Sequence, residues 1–133
     1  MSGHQFLNPT DLAPPHGFSH GAVAAEGRTL YIAGQTGHHP DQAIDDGIVE
    51  QFARACVAVA TVIDEAGGGP GDLVSLTIYT TDIAGYKDHL GRIGEAYRAV
   101  FDNHYPPMAL IGVADLFDPR AKVELVGIAV IPA

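Results

Sequence analysis

The apolar residues from Ile48 onward recur at steps of three and four, which is the spacing of a helix with one apolar face. This first stripe consists of Phe52, Ala55, Cys56, Val59, Val62 and Ile63. A second stripe with the same period follows Asp82 and consists of Tyr86, Leu90, Ile93, Tyr97, Val100 and Phe101. Glycine and proline, in residues 67–71 and 104–107, interrupt the backbone where each stripe stops. The pattern predicts two helices, each with one face against a sheet.

Short runs rich in β-branched residues lie around these helices and are typical of strands. Residues 21–25 and 29–34 are two such runs, and the hairpin-sized segment between them predicts that they form an antiparallel pair. Residues 72–81 alternate as a strand does, with Val74, Leu76 and Ile78 on the expected core face. Two more strands follow the second helix. The predicted order is ββ-α-β-α-ββ after a short leading strand.

Two helices cover only one face of such a sheet, so the predicted fold class is α+β, a mixed sheet with two helices packed on one face. The opposite face then exposes small and apolar residues, namely Ala109, Ile111, Val113, Val126 and Ile128. Association about a symmetry axis buries a patch of this kind. The sequence therefore predicts one domain, residues 1–133, that forms a homo-oligomer.

The chain has 133 residues, of which 47% are hydrophobic, a size and composition typical of one core. The formal net charge is −9 and the seven Lys and Arg are scattered, which excludes nucleic acid because phosphate contacts require clustered cations. No apolar run reaches the ~20 residues of a membrane span, and the N-terminus lacks an export signal. We expect a cytoplasmic protein with no membrane partner. The single cysteine, Cys56, lies among small apolar residues and is expected in the core.

Glu124 lies inside an otherwise apolar, β-branched run, residues 123–131. In a strand its side chain shares a face with Val126 and Ile128, so an ionised carboxylate there requires a partner, bound water or a ligand. Glu124 is therefore a candidate general acid or base. The pattern alone favours another interpretation, an exposed ion pair with Lys122 near the start of the strand.

Histidine and serine provide weaker candidates. The adjacent His38 and His39 point to opposite sides of an extended chain, and no paired ligand motif accompanies them, so we expect no metal. His16 and His20 flank Ser19 in a proline-rich loop, where a loop-stabilising hydrogen bond is favoured over contact with a ligand. Because no nucleophile elbow surrounds Ser19, we reject a serine hydrolase.

Several motifs stand in an order found in one known family. Residues 17–22 (Gly-Phe-Ser-His-Gly-Ala) resemble a Pro-Tyr-Ser-(Gln/His)-Ala-Val loop, and residues 31–36 (Tyr-Ile-Ala-Gly-Gln-Thr) resemble an apolar-apolar-Ser-Gly-Gln motif. The further matches, in chain order, are Gln51, residues 65–67, residues 72–82, residues 97–101, Tyr105-Pro106 and residues 123–129. By this ordered set the chain is similar, along nearly its whole length, to the RidA (YjgF) family.

This resemblance implies a chorismate-mutase-like fold assembled as a homotrimer, with a cleft between neighbouring subunits. The enzymes of the family hydrolyse reactive imines and enamines to a keto acid and ammonia, without a metal or an organic cofactor. Glu124 matches the cleft glutamate that positions or activates water, and Gly34 matches a glycine whose backbone faces the ligand. Phe18 replaces a cleft tyrosine, and Ala33 replaces a cleft serine.

One departure from the family pattern concerns the arginine that binds the substrate carboxylate, because Met108 stands in its place. Methionine carries no charge, so a small 2-imino acid loses its main orienting contact. Leu110, on the same strand, replaces a polar or thiol residue. Arg120 and Lys122 are the nearest cations along the chain, and we favour an exposed, structurally neutral role for both.

We therefore expect a RidA-like small-molecule hydrolase or deaminase that acts on imines, enamines or related activated substrates with altered specificity. Glu124 is the expected catalytic residue, and the expected substrate-binding residues are Phe18, Ala33, Gly34, Met108 and Leu110. The alternative is a non-catalytic trimeric module that binds or senses a small molecule. A ribonuclease activity, attributed to some relatives, is disfavoured because the chain is acidic and lacks a basic groove.

Overall fold

The computed structural model describes residues 3–133, which fold into six strands, three α-helices and a short 3-10 turn. The strands are β1 (Gln5–Leu7), β2 (Gly21–Val23), β3 (Gly27–Gln35), β4 (Leu73–Thr80), β5 (Met108–Gly112) and β6 (Val123–Pro132). The helices are α1 (Ile48–Glu65), α2 (Ile83–Asp88) and α3 (Leu90–Phe101), and the 3-10 turn spans Pro70–Asp72. The predicted α+β class is confirmed.

Four strands form a mixed sheet in the order β3-β6-β4-β5, in which only β4 and β5 are parallel. The predicted pairing of residues 21–25 with residues 29–34 is wrong. β2 pairs instead with β1 in a separate two-stranded sheet, and β3 lies antiparallel to β6. The ten-residue β6 offers the nine-residue β3 a full-length partner, which the short β2 does not.

Helix α1 spans the first predicted stripe and is confirmed. It ends in a Schellman motif, in which the Gly68 N–H donates to the Ile63 carbonyl and the Gly67 N–H donates to the Asp64 carbonyl. Gly67 has a φ of 88°, a left-handed conformation that glycine adopts without strain. The glycine run therefore ends the helix by supplying the backbone geometry that its last carbonyls require.

The second predicted helix is divided in two, so the structure contains three α-helices rather than two in the described chain. Asp82 caps α2 by accepting a hydrogen bond from the Gly85 N–H. At the break, His89 departs from helical dihedrals, and its ring nitrogen Nδ1 lies 2.8 Å from the Gly85 carbonyl oxygen. A side chain that competes for a helix carbonyl is a local interruption that apolar periodicity does not reveal.

The helices pack over one face of the sheet, as predicted, and close a core that joins Ile32, Leu76 and Leu125 to the apolar sides of α1 and α3. In β4, Leu73 is buried rather than Val74, because the register shifts between Leu73 and Ser75. This irregularity reverses the predicted alternation at the start of the strand. From Leu76 onward the alternation follows the prediction.

The opposite face of the sheet, called the outward face below, has no helix over it. Cross-strand register places these side chains on it: Tyr31, Tyr79, Ala109, Ile111, Glu124, Val126 and Ile128. Tyr31 is 77% exposed and Ile111 is 42% exposed. The patch is mainly apolar, as the sequence predicts.

None of the helices formed by residues 3–133 has the length and apolar character needed to cross a lipid bilayer.

The fully buried side chain of Gln51, in the first turn of α1, connects three segments. Its Nε2 donates to the Asp45 carbonyl at 2.8 Å and to the Arg120 carbonyl at 3.0 Å. Its Oε1 accepts from the Lys122 N–H at 2.7 Å. One amide therefore satisfies buried backbone groups of the loop before α1 and of the segment that leads into β6.

We expect Gln51→Leu to lower the free energy of unfolding by about 3 kcal/mol, since two carbonyls and one N–H lose their partner in the interior. Urea denaturation measures the change. Thr61→Ala is the control in the same helix, because the Thr61 hydroxyl bonds to the Val57 carbonyl at an exposed position. We expect that control to change stability by less than about 0.5 kcal/mol. Equal stabilities of Gln51→Leu and the control would contradict this role.

Candidate active site

Glu124 is half-buried on the outward face of β6, directly across from Tyr79 of β4. Within residues 3–133 its carboxylate has no hydrogen bond and no ion pair. The expected ion pair with Lys122 is therefore wrong. The Lys122 backbone is instead held by Gln51 and by the Thr80 hydroxyl, which donates to the Lys122 carbonyl at 2.7 Å. Glu124 is left with its acceptor capacity available to a water or a ligand.

Gly34, at the end of β3, lies against the Glu124 side chain. A Cβ built on Gly34 would lie 2.6 Å from the Glu124 carboxyl carbon, closer than real Cβ contacts. Residue 34 must therefore be glycine for this carboxylate to keep its position. The neighbouring Ala33 is exposed, and its carbonyl accepts from the Gln35 side chain at 3.0 Å. The structure thus brings Glu124, Gly34 and Ala33 into one region of the outward face.

A second region is a cavity of about 450 Å³ between the helices, β5 and the loop around residue 17. Three predicted binding residues line it, namely Phe18, Met108 and Leu110. Its remaining walls include Phe52, Ile78, Tyr86, Ile93, Tyr97 and Arg98. Most of these residues are apolar or aromatic, which suits a ligand with an apolar body.

The sheet separates the two regions within one chain. Met108 pairs with the buried Leu76, and Leu110 pairs with the buried Ile78, so both face the helices. Glu124 pairs with Tyr79 and faces the other way. Ala109 also lines the cavity although its side chain is on the outward face, so the cavity extends to the β5 edge of the sheet. The single chain does not bring all the predicted site residues together.

Sequence reasoning missed Tyr86, Ile93, Tyr97 and Arg98 as cavity residues. The first three belong to the second apolar stripe and are largely buried, so their periodicity gives the same signal as a core position. Arg98 follows Tyr97 on the solvent side of α3, and no motif distinguishes it in the sequence. Only the positions of α2 and α3 around the cavity identify these four residues.

Arg120 lies outside this cavity, and its side chain is 57% exposed, as expected. Its guanidinium binds the Asp118 carboxylate through Nε at 3.1 Å and through Nη2 at 2.7 Å. These hydrogen bonds, with one from His38, hold the pKa of Asp118 well below its usual range. The pKa of Arg120 is raised by the same pair. Arg120 is therefore committed to a neighbouring carboxylate.

His20, His38 and His39 make hydrogen bonds within the chain, whereas His16 lines the cavity. His20 Nε2 lies 2.8 Å from the Ala13 carbonyl, which confirms the loop-stabilising interpretation. The buried Ser19 hydroxyl donates to the Tyr105 carbonyl at 2.6 Å, so it forms no pair with a histidine base. His39 Nε2 lies 3.1 Å from Asp45. Among residues 3–133, His, Cys, Asp and Glu form no group of three that could hold a metal ion.

Three protonated groups lie in the interior beside the cavity. Burial raises the pKa of the Cys56 thiol to about 12. Burial, with a smaller contribution from Cys56, raises the pKa of Tyr86 to about 12. Burial also raises the pKa of Tyr97 far above its ordinary value. Because a thiolate is the reactive form of cysteine, Cys56 is a core residue and not a nucleophile.

The chain is similar to a known protein family and to named proteins. The family model described as Endoribonuclease L-PSP matches residues 9–131. A curated mouse (Mus musculus) protein named 2-iminobutanoate/2-iminopropanoate deaminase is 32% identical over 106 residues, which are 77% of this chain and 74% of the mouse protein. A Capra hircus protein of the same name is 30% identical over 106 residues, 77% of this chain and 73% of its own length.

Solved structures show the same fold. A Rid-family protein of unknown function from Yersinia pestis superposes with a TM-score of 0.83 at 28% identity. The match covers 98% of this chain and 100% of the Yersinia chain. RidA from the Antarctic bacterium Psychrobacter gives a TM-score of 0.69 at 26% identity, covering 90% of this chain and 92% of that one. E. coli TdcF with bound serine gives a TM-score of 0.67 at 26% identity, covering 84% of this chain and 91% of the TdcF chain.

We expect folding stability to fall as the pH rises from about 8 to about 10. The folded-state pKa of Cys56 is raised, so its contribution is present below the thiol's unfolded pKa and is lost above it. At about pH 10 this loss is about 1 kcal/mol, since one pKa unit corresponds to 1.36 kcal/mol. Denaturation midpoints at both pH values measure it, and Cys56→Ala should show a smaller decrease. An equal decrease in both proteins would contradict the assignment.

Proposed function

The chain belongs to the Endoribonuclease L-PSP family, the family of RidA and YjgF, and from this premise we propose that it hydrolyses an imine or enamine and releases ammonia. The relatives named 2-iminobutanoate/2-iminopropanoate deaminase support this reaction class. The observation that carries the proposal is Glu124, a half-buried carboxylate without a partner in the described chain, held against Gly34 on an apolar face.

Glu124 acts on a water molecule in this proposal. The carboxylate accepts a proton from the water, whose oxygen forms a bond to the imine carbon. The nitrogen then takes up the proton held by Glu124 and the proton of the new hydroxyl group, and it leaves as ammonia when the carbon–nitrogen bond breaks, so that the carbon becomes a carbonyl. Glu124 returns its proton during this second step, so imine and water are converted to carbonyl compound and ammonia. Gly34 leaves space for this carboxylate, and the backbone of Gly34 itself is open to the ligand.

The complete site requires a neighbouring subunit. Glu124 and the cavity lie on opposite sides of the sheet, but the cavity reaches the β5 edge at Ala109. We propose a homotrimer in which the outward face of one subunit covers this opening on the next. Such an assembly would also bury Tyr31 and Ile111, which are exposed in a single chain. Glu124 of one subunit and the cavity of its neighbour then enclose the substrate.

The cavity gives this site its specificity. Phe18, Met108 and Leu110 give the cavity apolar walls. A small charged substrate would instead require a cation at these walls. The volume of about 450 Å³ lies in the range of pockets that bind whole small molecules. We propose that the substrate is larger than 2-iminopropanoate, that Ala33 and Gly34 contact it beside Glu124, and that the protein works in the cytoplasm without a metal, an organic cofactor or a nucleic-acid partner.

We expect Glu124→Gln to lower imine hydrolysis by a factor of about 10² to 10⁴, since the amide cannot accept the proton from water. Ammonia release is measured on imines formed in situ from 2-amino acids with short and long apolar side chains. Glu65→Gln, an exposed change at the end of α1, is the matched control. Unchanged turnover in Glu124→Gln, with the fold intact by circular dichroism, would refute the catalytic role.

We expect the native protein to sediment with three times the mass of one chain, and Tyr31→Glu to dissociate it, since the change introduces a charge on the outward face. Val57→Glu is the control, because Val57 is 51% exposed on the solvent side of α1. Sedimentation equilibrium measures both variants. A monomeric native protein, or an intact assembly of Tyr31→Glu, would contradict the arrangement.

A second candidate function is a non-catalytic trimeric module that binds or senses a small molecule. The separation of Glu124 from the cavity within one chain favours it, because the cavity can hold a ligand without contact with that carboxylate. Ligand binding without ammonia release from any imine of the panel would support this function and reject the hydrolase.

A further inference from the structure

The cavity contains one permanently charged side chain among the residues that line it in the described chain, and this side chain is Arg98 of α3. No aspartate or glutamate is among the lining residues. The guanidinium has no hydrogen bond or ion pair within residues 3–133. By contrast, Arg92 of the same helix pairs with Glu50 at 3.3 Å. Arg98 is exposed to solvent, and it lines the cavity without a carboxylate among the lining residues to neutralise it.

The surface of α3 leaves room for this guanidinium. Gly94 stands one turn before Arg98 and also lines the cavity. A Cβ built on Gly94 would lie 3.0 Å from Nη1 of Arg98, so the guanidinium lies back over the turn that lacks a side chain. Long helical side chains point in this direction, toward the N-terminus of their helix. Glycine inside a helix is unfavourable relative to alanine, and here its small size leaves space for the guanidinium of the arginine.

The walls around Arg98 define the ligand chemistry. Phe18, Ile93 and Met108 offer apolar surface for the body of a ligand. Tyr86 also lines the cavity, and its hydroxyl has no hydrogen-bond partner within residues 3–133. It can therefore donate a second hydrogen bond to the same ligand. A guanidinium and a hydroxyl in an apolar cavity suit an anion with an extended apolar body.

We propose that this cavity binds a carboxylate that carries an apolar group, and that Arg98 binds the carboxylate. The guanidinium fork matches the two carboxylate oxygens, and the aromatic and aliphatic walls take the apolar group. This inference rests on the proposed function in placing the substrate in the cavity. It specifies that substrate as an imino acid with a long apolar or aromatic side chain. The substrate carboxylate is bound by a residue of α3 rather than by a residue of β5.

The test uses two probes of the same shape, 3-phenylpropanoate and its neutral amide, 3-phenylpropanamide. Neither contains an imine, so isothermal titration calorimetry measures binding without turnover. We expect the native protein to bind the acid about tenfold more tightly than the amide, a preference that decreases at high salt. Arg98→Gln should remove the preference by weakening the acid alone. Arg98→Lys should retain part of it, because the charge remains while the fork is lost.

Arg92→Gln is the matched control, since it removes an arginine of the same helix that does not line the cavity. It should keep the full preference for the acid. Equal binding of acid and amide by the native protein, or a preference that survives Arg98→Gln, would overturn the inference. Ammonia release is scored separately. Loss of the preference in Arg98→Gln without any ammonia release by the native protein would support the carboxylate site and reject the proposed hydrolysis.

Discussion

The side-chain amide of Gln51 holds together the part of the molecule on which the candidate site depends. Its hydrogen bonds reach the Asp45 and Arg120 carbonyls and the Lys122 N–H, at 2.7 to 3.0 Å. The Lys122 carbonyl is fixed at the same time by Thr80. Because side chains alternate along a strand, a slip of one residue at the start of β6 would turn Glu124 into the core. A buried amide on a helix thus helps to fix the segment that leads into the strand carrying this carboxylate.

Glu124 and the cavity differ in how the fold supports them. The carboxylate depends on close backbone approach, since Gly34 leaves it the space that a Cβ would take. The cavity depends instead on the positions of α2, α3 and β5, and the break at His89 separates the two helices. The first region tolerates little change in size. The second is lined by flexible or aromatic side chains and can accept different ligands by substitution of its walls.

Much of this architecture follows from residue pattern. The period of three to four residues predicts α1, and the glycine run predicts its end. The two-residue alternation of β6 places Glu124 on the face opposite Val123 and Leu125, as the structure has it.

The pairing of residues 21–25 with 29–34 is wrong because adjacency in sequence does not determine adjacency in the sheet. The ion pair with Lys122 is wrong because spacing alone does not show whether two charged side chains meet. The role of Arg98 in the cavity wall has no local signal, since it arises from the positions that α3 and β5 take around the cavity.

The division of Glu124 and Met108 between the two sides of one sheet has a genetic consequence if neighbouring subunits share each cleft. Two alleles, one defective in the carboxylate and the other in the cavity, would complement each other in a mixed assembly, because some clefts would combine the intact half of each polypeptide. A cell carrying both alleles would then retain a fraction of wild-type function, whereas either allele by itself would leave every cleft defective.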